Sequence, residues 1–399
     1  MADTMRGVTL FADWSPRPGF SLGPKDVDKK QTYLGSQVWK NPRVSIEEHA
    51  VPGVADDEIL IETRAVGICG SDVHMAQPDA EGHIWYPGLT GFPVVLGHEI
   101  GGVVAEAGKN ARNKRTGERF QPGEPVCVEE MVWCGVCRPC ADGYPNHCEQ
   151  LDELGFNVNG GFAKYVAVPA KLAWSLEELK AAYDGDDIFL AGSLVEPTSV
   201  AYTAVIERGG GIRPGDNVVI CGSGPIGAAA CAIMKREGAA RVILSEPEPA
   251  RAEMGKKLGA DHVIDPTKDD FGDAVLELTD GMGANLFLEA TGLPDLVYPG
   301  IEKVVWNGRT LNSTVVVVAR ADKKMQVTGE VLQVRRAQII GSQGHSGHGT
   351  FPRVISSMAA GMDMTPMITS KIKLDQVPDA LVKLRDDRQE CKITVTDLS

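Results

Sequence analysis

Four cysteines fall within the fifteen positions of CGVCRPCADGYPNHC, residues 134–148. Cys134, Cys137, Cys140 and Cys148 are separated by two, two and seven residues. Structural zinc takes four ligands in a tetrahedron, and a CxxC turn directs two sulfurs at one centre. A zinc ion with four thiolate ligands has no open position for a substrate, so this stretch predicts a structural metal and places the chemistry elsewhere. An iron–sulfur cluster and free thiols remain as alternatives.

Length and charge restrict the fold and the partners. A chain of 399 residues exceeds a single hydrophobic core and predicts about two domains. The net charge of -14 argues against nucleic acid, because phosphate binding requires a basic face. The start, MADTMRGVTLFADW, does not resemble a signal peptide, and we expect no membrane span. With unpaired cysteines, this predicts a cytoplasmic protein that acts on a small molecule.

A glycine motif in the second half predicts a dinucleotide site. NVVICGSGPIG has a short apolar run and then Gly222, Gly224 and Gly227 in GxGxxG spacing, followed by the helical stretch IGAAACAIMKRE. A strand before the motif and a helix after it are the context in which such glycines approach a pyrophosphate. We expect Pro225 and Ile226, within the motif, to contact the cofactor as well. A glycine turn without a ligand is the alternative.

An acidic residue after the next strand predicts the choice of cofactor. Glu246 ends RVILSE, nineteen residues after Gly227, near the distance expected for the carboxylate that accepts from a ribose 2′-hydroxyl. This favours NAD. Arg251 follows five residues later and leaves NADP as the alternative cofactor.

Four further apolar runs continue the alternation of strand and helix. They are HVID, NLFLEATG, TVVVVA and AQIIGS, and with the first two they predict a doubly wound α/β sheet of six parallel strands. We expect a Rossmann cofactor domain at 200–340. The catalytic domain would combine 1–199 with 341–399, whose end reads as a helix and a strand that return to the first domain.

A second set of metal ligands precedes the cysteines. GICGSDVH contains Cys69, and GFPVVLGHE ends in His98 and Glu99. One soft, one borderline and one hard ligand suit a catalytic zinc with an open position. Taken singly, the cysteine would be a small buried residue and the histidine part of a surface loop.

These motifs together resemble a known family. GICGSDVH, GHE followed by GGVVAEAG, the cysteine spacing and GSGPIG occur in the order seen in zinc-dependent medium-chain alcohol dehydrogenases, and the likeness covers nearly the whole chain. The resemblance implies a mostly β, GroES-like catalytic domain with a zinc lobe at about 127–150 and a Rossmann domain that binds NAD. It also implies two zinc ions per chain and a homodimer or homotetramer.

One segment is similar to a branch of that family. SLVEPTSVAY looks like the EP segment of sorbitol and threonine dehydrogenases, which makes Glu196 a fourth zinc ligand or the residue that holds zinc-bound water. The family match also assigns Ser71 and His74 to a proton relay. Without the match, Ser71 is more readily read as a helix cap.

The resemblance also predicts the substrate class. WSPRPGFSLGPKD and GSQGHSGHGTFPRVISSMA are similar to members of the branch that act in inositol catabolism, so we expect a cyclitol or polyol such as scyllo-inosose. Threonine or sorbitol is the alternative substrate, and a non-catalytic protein that binds zinc and NADH is the alternative class. His345 and His348 could bind ring hydroxyls or lie on a surface loop. The segments 20–40 and 109–120 look like surface excursions.

Overall fold

The computed structural model describes residues 3–24, 26, 34–320 and 323–399. Residues 25 and 27–33 of the excursion at 20–40 therefore lie outside the described residues. The first part of the chain is mainly β. Its strands are β1 Thr4–Trp14, β2 Trp39–Ala50, β3 Glu58–Gly67, β4 Val94–Val95, β5 Glu99–Ala107, β6 Pro125–Val128, β7 Met131–Val132, β8 Asp152–Glu153, β9 Tyr165–Pro169 and β10 Ala173–Ser175. The helices are α1 Gly70–Met75, α2 Arg138–Ala141, α3 Asp187–Ser193 and α4 Val195–Tyr202.

A seven-stranded sheet forms the centre of this β region. β10, β6, β5 and β3 follow one another in it, β9 also pairs with β3, and β2, β1 and β4 form a separate sheet. Alternating residues of these strands, such as Ile59 and Ile61 on β3, enter a core of buried aliphatic side chains. The sheet gives the ligand-bearing loops at its edges a rigid support.

The second part is a parallel α/β sheet. Its strands are β11 Asn217–Cys221, β12 Arg241–Ser245, β13 His262–Ile264, β14 Leu286–Glu289, β15 Thr314–Val317 and β16 Gln338–Gly341. They pair in the order β13, β12, β11, β14, β15, β16, with every pairing parallel. This is the 3-2-1-4-5-6 order of a doubly wound Rossmann fold, whose ligands bind where the order reverses beyond the carboxyl ends of the strands. The predicted six-stranded sheet is confirmed.

Helices cover both faces of the parallel sheet. They are α5 Pro225–Arg236, α6 Pro249–Lys257, α7 Phe271–Leu278, α8 Pro294–Asn307 and α9 Gly329–Arg335. Two apolar cores result, one on each face, because alternating residues of strands such as β11 point to opposite sides.

The last residues return to the β region. α10 Thr350–Ala359 packs against α4, and α11 Val377–Lys383 contacts α1. β17 Ile368–Lys373 and β18 Lys392–Asp397 join the seven-stranded sheet, where β18 pairs with both β17 and β3. The predicted terminal helix and strand are confirmed, and β18 brings the end of the described chain beside Cys69 and Glu99.

The cysteine stretch forms a lobe between two short strands. β7 and β8 pair antiparallel, with Met131 opposite Glu153, and the residues between them carry all four cysteines. Leu89, Met131, Cys148 and Leu151 form its small core. The lobe is thus the segment that connects the two paired strands β7 and β8, which form a two-stranded ribbon.

The excursion at 109–120 packs against the base of this lobe. Lys114 Nζ lies 3.4 Å from the ring centroid of Trp174 and 3.6 Å from Glu129 Oε1. Burial lowers the pKa of Lys114 to about 8, although Glu129 opposes the shift. The excursion is anchored at this point, and most of its residues are exposed, as expected of a surface excursion.

One helix in the described chain is long and apolar enough to cross a bilayer by length and composition. It is the continuous helical stretch Asp187–Arg208, of 22 residues, and 83% of its apolar window is buried inside the protein. Buried core helices of globular domains have the same properties.

Candidate active site

The four cysteines of the lobe converge on one point. Their sulfurs all lie within 4.8 Å of one another, and Cys137 Sγ is 3.7 Å from Cys148 Sγ. Zinc–sulfur bonds of 2.3 Å in a tetrahedron give an edge of roughly 3.8 Å. A multi-iron cluster would hold the sulfurs farther apart, since several irons and sulfides stand between them. The lobe therefore fits a single zinc ion.

Backbone amides prepare one of these sulfurs for a metal. The N–H groups of Val136 and Cys137 donate to Cys134 Sγ at 3.4 and 3.3 Å. These bonds lower the pKa of the Cys134 thiol to about 6, so it is a thiolate at neutral pH. Thiolates are the form that binds zinc.

A second ligand set comes together at the start of α1 and β5. Cys69 immediately precedes α1, His98 precedes β5, and Glu99 begins β5. One ligand atom from each residue lies within 4.8 Å of the others. His98 and Glu99 are buried, while Cys69 faces the cleft. Three protein ligands with access from one side suit a metal that keeps an open position.

A buried carboxylate lies behind the histidine. Asp72 Oδ1 lies 3.7 Å from His98 Nδ1, and the two Asp72 oxygens accept from the backbone N–H of Cys69 and Gly97. Burial lowers the pKa of His98, but the charges of Asp72 and Cys69 outweigh it and hold that pKa well above its ordinary value. A carboxylate behind a ligating histidine is the usual outer support of a zinc site, and it leaves Nε2 for the metal.

Glu99 is held by a lysine from the last strand. Lys392 Nζ donates to Glu99 Oε1 at 2.5 Å and to the Ile68 carbonyl at 3.0 Å, and both charged side chains are fully buried. Glu99 Oε2 has no hydrogen-bond partner within the described part of the chain. A buried carboxylate oxygen without a donor fits a cation. Gly67 leaves the space for it, since an added Cβ would lie 1.9 Å from Oε2.

Glu196 joins a different group. His345 Nε2 lies 3.1 Å from Glu196 Oε1 and 2.6 Å from Glu130 Oε2. Burial alone would raise the pKa of Glu196, but the contact with His345 lowers it. Burial alone would lower the pKa of His345, but the charge of Glu130 raises it well above its ordinary value. The carboxylate predicted to complete the zinc shell is therefore paired with an imidazolium. His345 is 1% exposed, so the surface-loop interpretation is wrong for this residue.

The two predicted relay residues lie on α1 and line the cleft. Ser71 Oγ is 3.4 Å from His98 Nε2, and Cys69, not Ser71, occupies the capping position of the helix. His74 is exposed to the cleft. Desolvation by the cleft walls, and then the charge of Arg388, lower the pKa of His74. The histidine is thus neutral near pH 7 and can accept a proton.

The glycine loop has the shape of a phosphate cradle. Gly222 adopts φ +93°, and a Cβ on Gly227 would lie 1.8 Å from the Gly222 carbonyl oxygen. A Cβ on Gly224 would meet no described atom within 4 Å, so the loop leaves open space in front of α5. Pro225 and Ile226, the first residues of α5, also line the cleft. The positive end of a helix behind open backbone fits a pyrophosphate.

Glu246, which follows β12, is hydrogen-bonded to the glycine loop. Its Oε2 accepts from the Ser223 N–H at 2.7 Å and its Oε1 from the Glu248 N–H at 3.0 Å. Glu246 and Arg251 both line the cleft. The buried Arg251 Nε has no hydrogen-bond partner among the residues described.

The two sites open into one cleft of about 2450 Å³, which lies between the β region and the parallel sheet. It also contains His348, whose ring centroid is 6.5 Å from that of Tyr144 in the lobe. Sequence reasoning missed three charged residues at the site, which are Glu130, Glu153 and Lys392. The sequence does not mark Lys392, because the apolar positions of KITVTD are Ile393 and Val395 and the lysine falls on the polar positions between them.

A Rossmann sheet that faces a Cys-His-Glu metal centre on a β domain is the architecture of a zinc-dependent dehydrogenase. The chain matches a family model described as an alcohol dehydrogenase GroES-like domain over residues 55–178 and one described as a zinc-binding dehydrogenase over residues 225–360. It belongs to the zinc-dependent medium-chain alcohol dehydrogenase family.

Two curated relatives bear on specificity. The chain is 64% identical to a scyllo-inosose 3-dehydrogenase from Thermotoga maritima over 98% of its own length and 99% of that protein. It is 31% identical to an L-threonine 3-dehydrogenase from Pyrococcus abyssi over 84% of its length and 90% of that protein.

Solved structures share the fold. An alcohol dehydrogenase from Thermotoga maritima superposes with a TM-score of 0.97 at 63% identity, over 98% of this chain and 100% of the other. Two others, a Sinorhizobium meliloti zinc-binding dehydrogenase bound to NADP and an Escherichia coli alcohol dehydrogenase bound to NADH, each give 0.77 at 25% identity. Both cover 99% of this chain and 100% of the other.

Proposed function

We propose that the protein oxidises a secondary alcohol of a cyclitol or polyol with NAD, and that scyllo-inosose is the first substrate to test. One observation carries the proposal: the Cys69, His98 and Glu99 ligands open into the same cleft as the glycine loop. The Thermotoga maritima relative supports the ring substrate by its high identity over nearly the whole chain.

The proposed roles follow from the geometry. Cys69, His98 and Glu99 would hold the catalytic zinc, with Glu196 nearby, and the four lobe cysteines the structural zinc. Bound at the open site, zinc supplies Lewis acidity that lowers the pKa of a substrate hydroxyl. Ser71 would pass the released proton towards His74, which is neutral and reaches the solvent of the cleft.

We propose that NAD is preferred over NADP. Glu246 stands at the end of β12 with its carboxylate beside the glycine loop, where it would accept from a ribose 2′-hydroxyl. The same charge would repel a 2′-phosphate. Arg251 is the residue that could offset this repulsion.

We propose a catalytic domain of residues 1–199 and 341–399, with the cofactor domain at 200–340. We also propose that the protein works in the cytoplasm, in inositol catabolism, as a homodimer or homotetramer.

The test is NADH formation by zinc-loaded protein with scyllo-inosose, myo-inositol, sorbitol and L-threonine, with NADP in parallel. We expect the highest kcat/KM with a cyclitol and NAD. A preference for L-threonine would overturn the substrate assignment and leave the dehydrogenase chemistry intact. Binding of two zinc ions and NADH without turnover on any alcohol would instead support the non-catalytic alternative.

A further inference from the structure

Two glutamates enter the cleft from the base of the zinc lobe. Glu130 precedes β7, Glu153 ends β8, and the Leu154 N–H donates to the Glu130 carbonyl at 2.9 Å, so the pairing of the ribbon holds their backbones side by side. Both side chains are buried from bulk solvent, at 7% and 3% exposure, and both line the cleft.

One of the two glutamates keeps an unused acceptor. Glu153 Oε2 has no hydrogen-bond donor among the described residues, whereas Glu130 Oε2, although not in hydrogen-bond geometry, already lies 2.6 Å from His345 Nε2. Buried carboxylate oxygens normally have donors, because leaving one unpaired costs its desolvation energy. Burial, and then the charge of Glu130, raise the pKa of Glu153 to about 8. Glu153 can therefore carry a proton near neutral pH, and it can donate to a hydroxyl as well as accept from one.

His345 bridges this pair to Glu196. The contacts of its Nε2 to Glu130 Oε2 and Glu196 Oε1 are ion pairs by distance, but the ring nitrogen is not in hydrogen-bond geometry with either oxygen. The 2.6 Å separation is too short for two ligands of one zinc ion, which lie roughly 3.3 Å apart in a tetrahedron. The cluster is thus held by a shared charge rather than suited to a third metal.

The zinc lobe also holds the loop that carries His345. Asn146 Nδ2 donates to the Gln343 carbonyl at 2.8 Å. A Cβ on Gly344 would lie 2.4 Å from Met131 Cε, and one on Gly347 would lie 3.1 Å from the Pro145 ring. The lobe therefore fixes both the Glu130 and Glu153 ribbon and the histidine behind it.

We propose that Glu130 and Glu153 bind hydroxyl groups of a neutral polyhydroxylated substrate, and that His345 is a positioning residue that holds Glu130 and Glu196 in place. This inference rests on the proposed function and names the residues that would give it specificity. We call Glu130 and Glu153 the hydroxyl-binding wall. The charges of Glu153 and His98 interact, so this wall faces the end of the cleft that contains the candidate metal ligands.

The charge of the wall determines which substrates it admits. A ring with several hydroxyls offers donors to the two carboxylates, whereas a small alcohol without further hydroxyls leaves Glu153 Oε2 unsatisfied. The carboxylate of an amino acid would meet like charges from Glu130 and Glu196. One cation on this side, Arg320, has its guanidinium carbon 5.3 Å from the Tyr86 ring and interacts with Glu153.

The experiment compares Glu130→Gln, Glu153→Gln and His345→Gln with the wild type. The matched control is Glu129→Gln, because Glu129 is equally buried but accepts from the indole N–H groups of Trp174 and Trp133 outside the cleft. Kinetics with scyllo-inosose and with cyclohexanol are measured for each protein with NAD. Calorimetry of myo-inositol binding to the zinc-loaded NADH complex gives a readout independent of turnover.

We expect Glu130→Gln and Glu153→Gln to raise KM for scyllo-inosose about tenfold to a hundredfold, the range of one hydrogen bond to a charged group. We expect KM for cyclohexanol to change less than about twofold. Binding of myo-inositol should weaken in parallel with KM, and Glu129→Gln should match the wild type. His345→Gln should raise the cyclitol KM with kcat little changed.

Several results would overturn the inference. An equal rise in KM for cyclohexanol and scyllo-inosose would show a general structural role. Unchanged cyclitol KM and binding in both glutamate variants would show that these residues do not bind the substrate hydroxyls. A third tightly bound metal ion, lost in His345→Gln, would assign the cluster to a cation instead. If the wild type oxidises no alcohol, the proposed function is rejected. The inference is then tested by calorimetry alone, and myo-inositol binding that is unaltered in the variants would reject it.

Discussion

Lys392, on the last strand, forms a fully buried ion pair with Glu99, 293 positions earlier in the chain. Burial lowers the pKa of the lysine, but the charge of Glu99 outweighs it and raises that pKa above its ordinary value, so the lysine stays protonated. The pair fixes one carboxylate oxygen and leaves the other, Oε2, without a donor in the described structure. The geometry of the candidate catalytic metal site therefore depends on the return of β18.

Lys392→Met should destabilise the metal-free protein by about 3 to 5 kcal/mol, because it leaves Glu99 buried without its partner. Zinc should recover part of this loss, since it supplies positive charge to the same carboxylate. Denaturant unfolding with and without zinc measures both effects. Lys373→Met is the control, because this lysine is exposed and its ion pair with Asp397 should contribute less than about 0.5 kcal/mol. Equal losses in the two variants would contradict the prediction.

Gly67→Ala should remove the catalytic zinc and most turnover while the structural zinc remains. The added methyl would lie 1.9 Å from Glu99 Oε2 and must displace it. Metal analysis should show about one zinc per chain instead of two. In Gly53→Ala, where the new methyl meets no described atom within 4 Å, both metals and activity should be retained. Full zinc content in Gly67→Ala would exclude Glu99 as a ligand.

Cys137→Ser should lower the metal content by one zinc and reduce the thermal stability of the lobe, since metal binding there contributes folding free energy. The contacts of the lobe with the 343–348 loop add a second expectation, a higher KM for a cyclitol in the surviving protein. Normal metal content and melting temperature would rule out the four-sulfur site.

Glu246→Ala should weaken NAD by roughly 1 to 3 kcal/mol and narrow the preference over NADP, because it removes an acceptor for ribose and a like charge near a 2′-phosphate. It also frees the Ser223 N–H in the glycine loop. Fluorescence titration with NADH and NADPH tests this. Glu248→Ala, two residues on, is the comparison, and an identical NADH to NADPH ratio in all three proteins would reject the role of Glu246.

Alcohol oxidation should decline on acidification with an inflection below pH 6.5 that belongs to His74. Desolvation and Arg388 lower the pKa of this group, so its neutral, proton-accepting form persists above that pKa and is lost as pH falls through it. The pH profile of kcat/KM for the wild type and for His74→Gln provides the measurement. Persistence of the same inflection in the variant would assign it to another group.

Local patterns predicted the fold class and the metal ligand sets because each is written in a short segment. The strand and helix around Gly222 have strong periodicity, and the lobe cysteines lie close in sequence, so their geometry follows from turns. The order of the motifs along the chain, through the family resemblance, also predicted the GroES-like domain.

Long-range pairs could not be predicted in this way. Lys392 and Glu99 meet only because β18 enters the sheet beside β3, and nothing local to KITVTD specifies that neighbour. The contact of Glu196 with His345 likewise depends on two distant segments and a buried ion pair, so the EP motif indicated a zinc ligand and not this partner. Burial of charge is decided by tertiary packing, which composition does not reveal.

The insertion of β18 between β3 and β17 also has a consequence for biosynthesis. As the chain leaves the ribosome, β3, Cys69, His98 and Glu99 emerge long before the strand that completes their sheet, and the whole parallel α/β unit is made in between. One face of that unit has an apolar core made of its own residues, whereas the earlier β region keeps an open edge until β18 is added. Assembly of the candidate metal site therefore waits until β18 has been made, and cleavage before residue 392 would remove the lysine that pairs with Glu99.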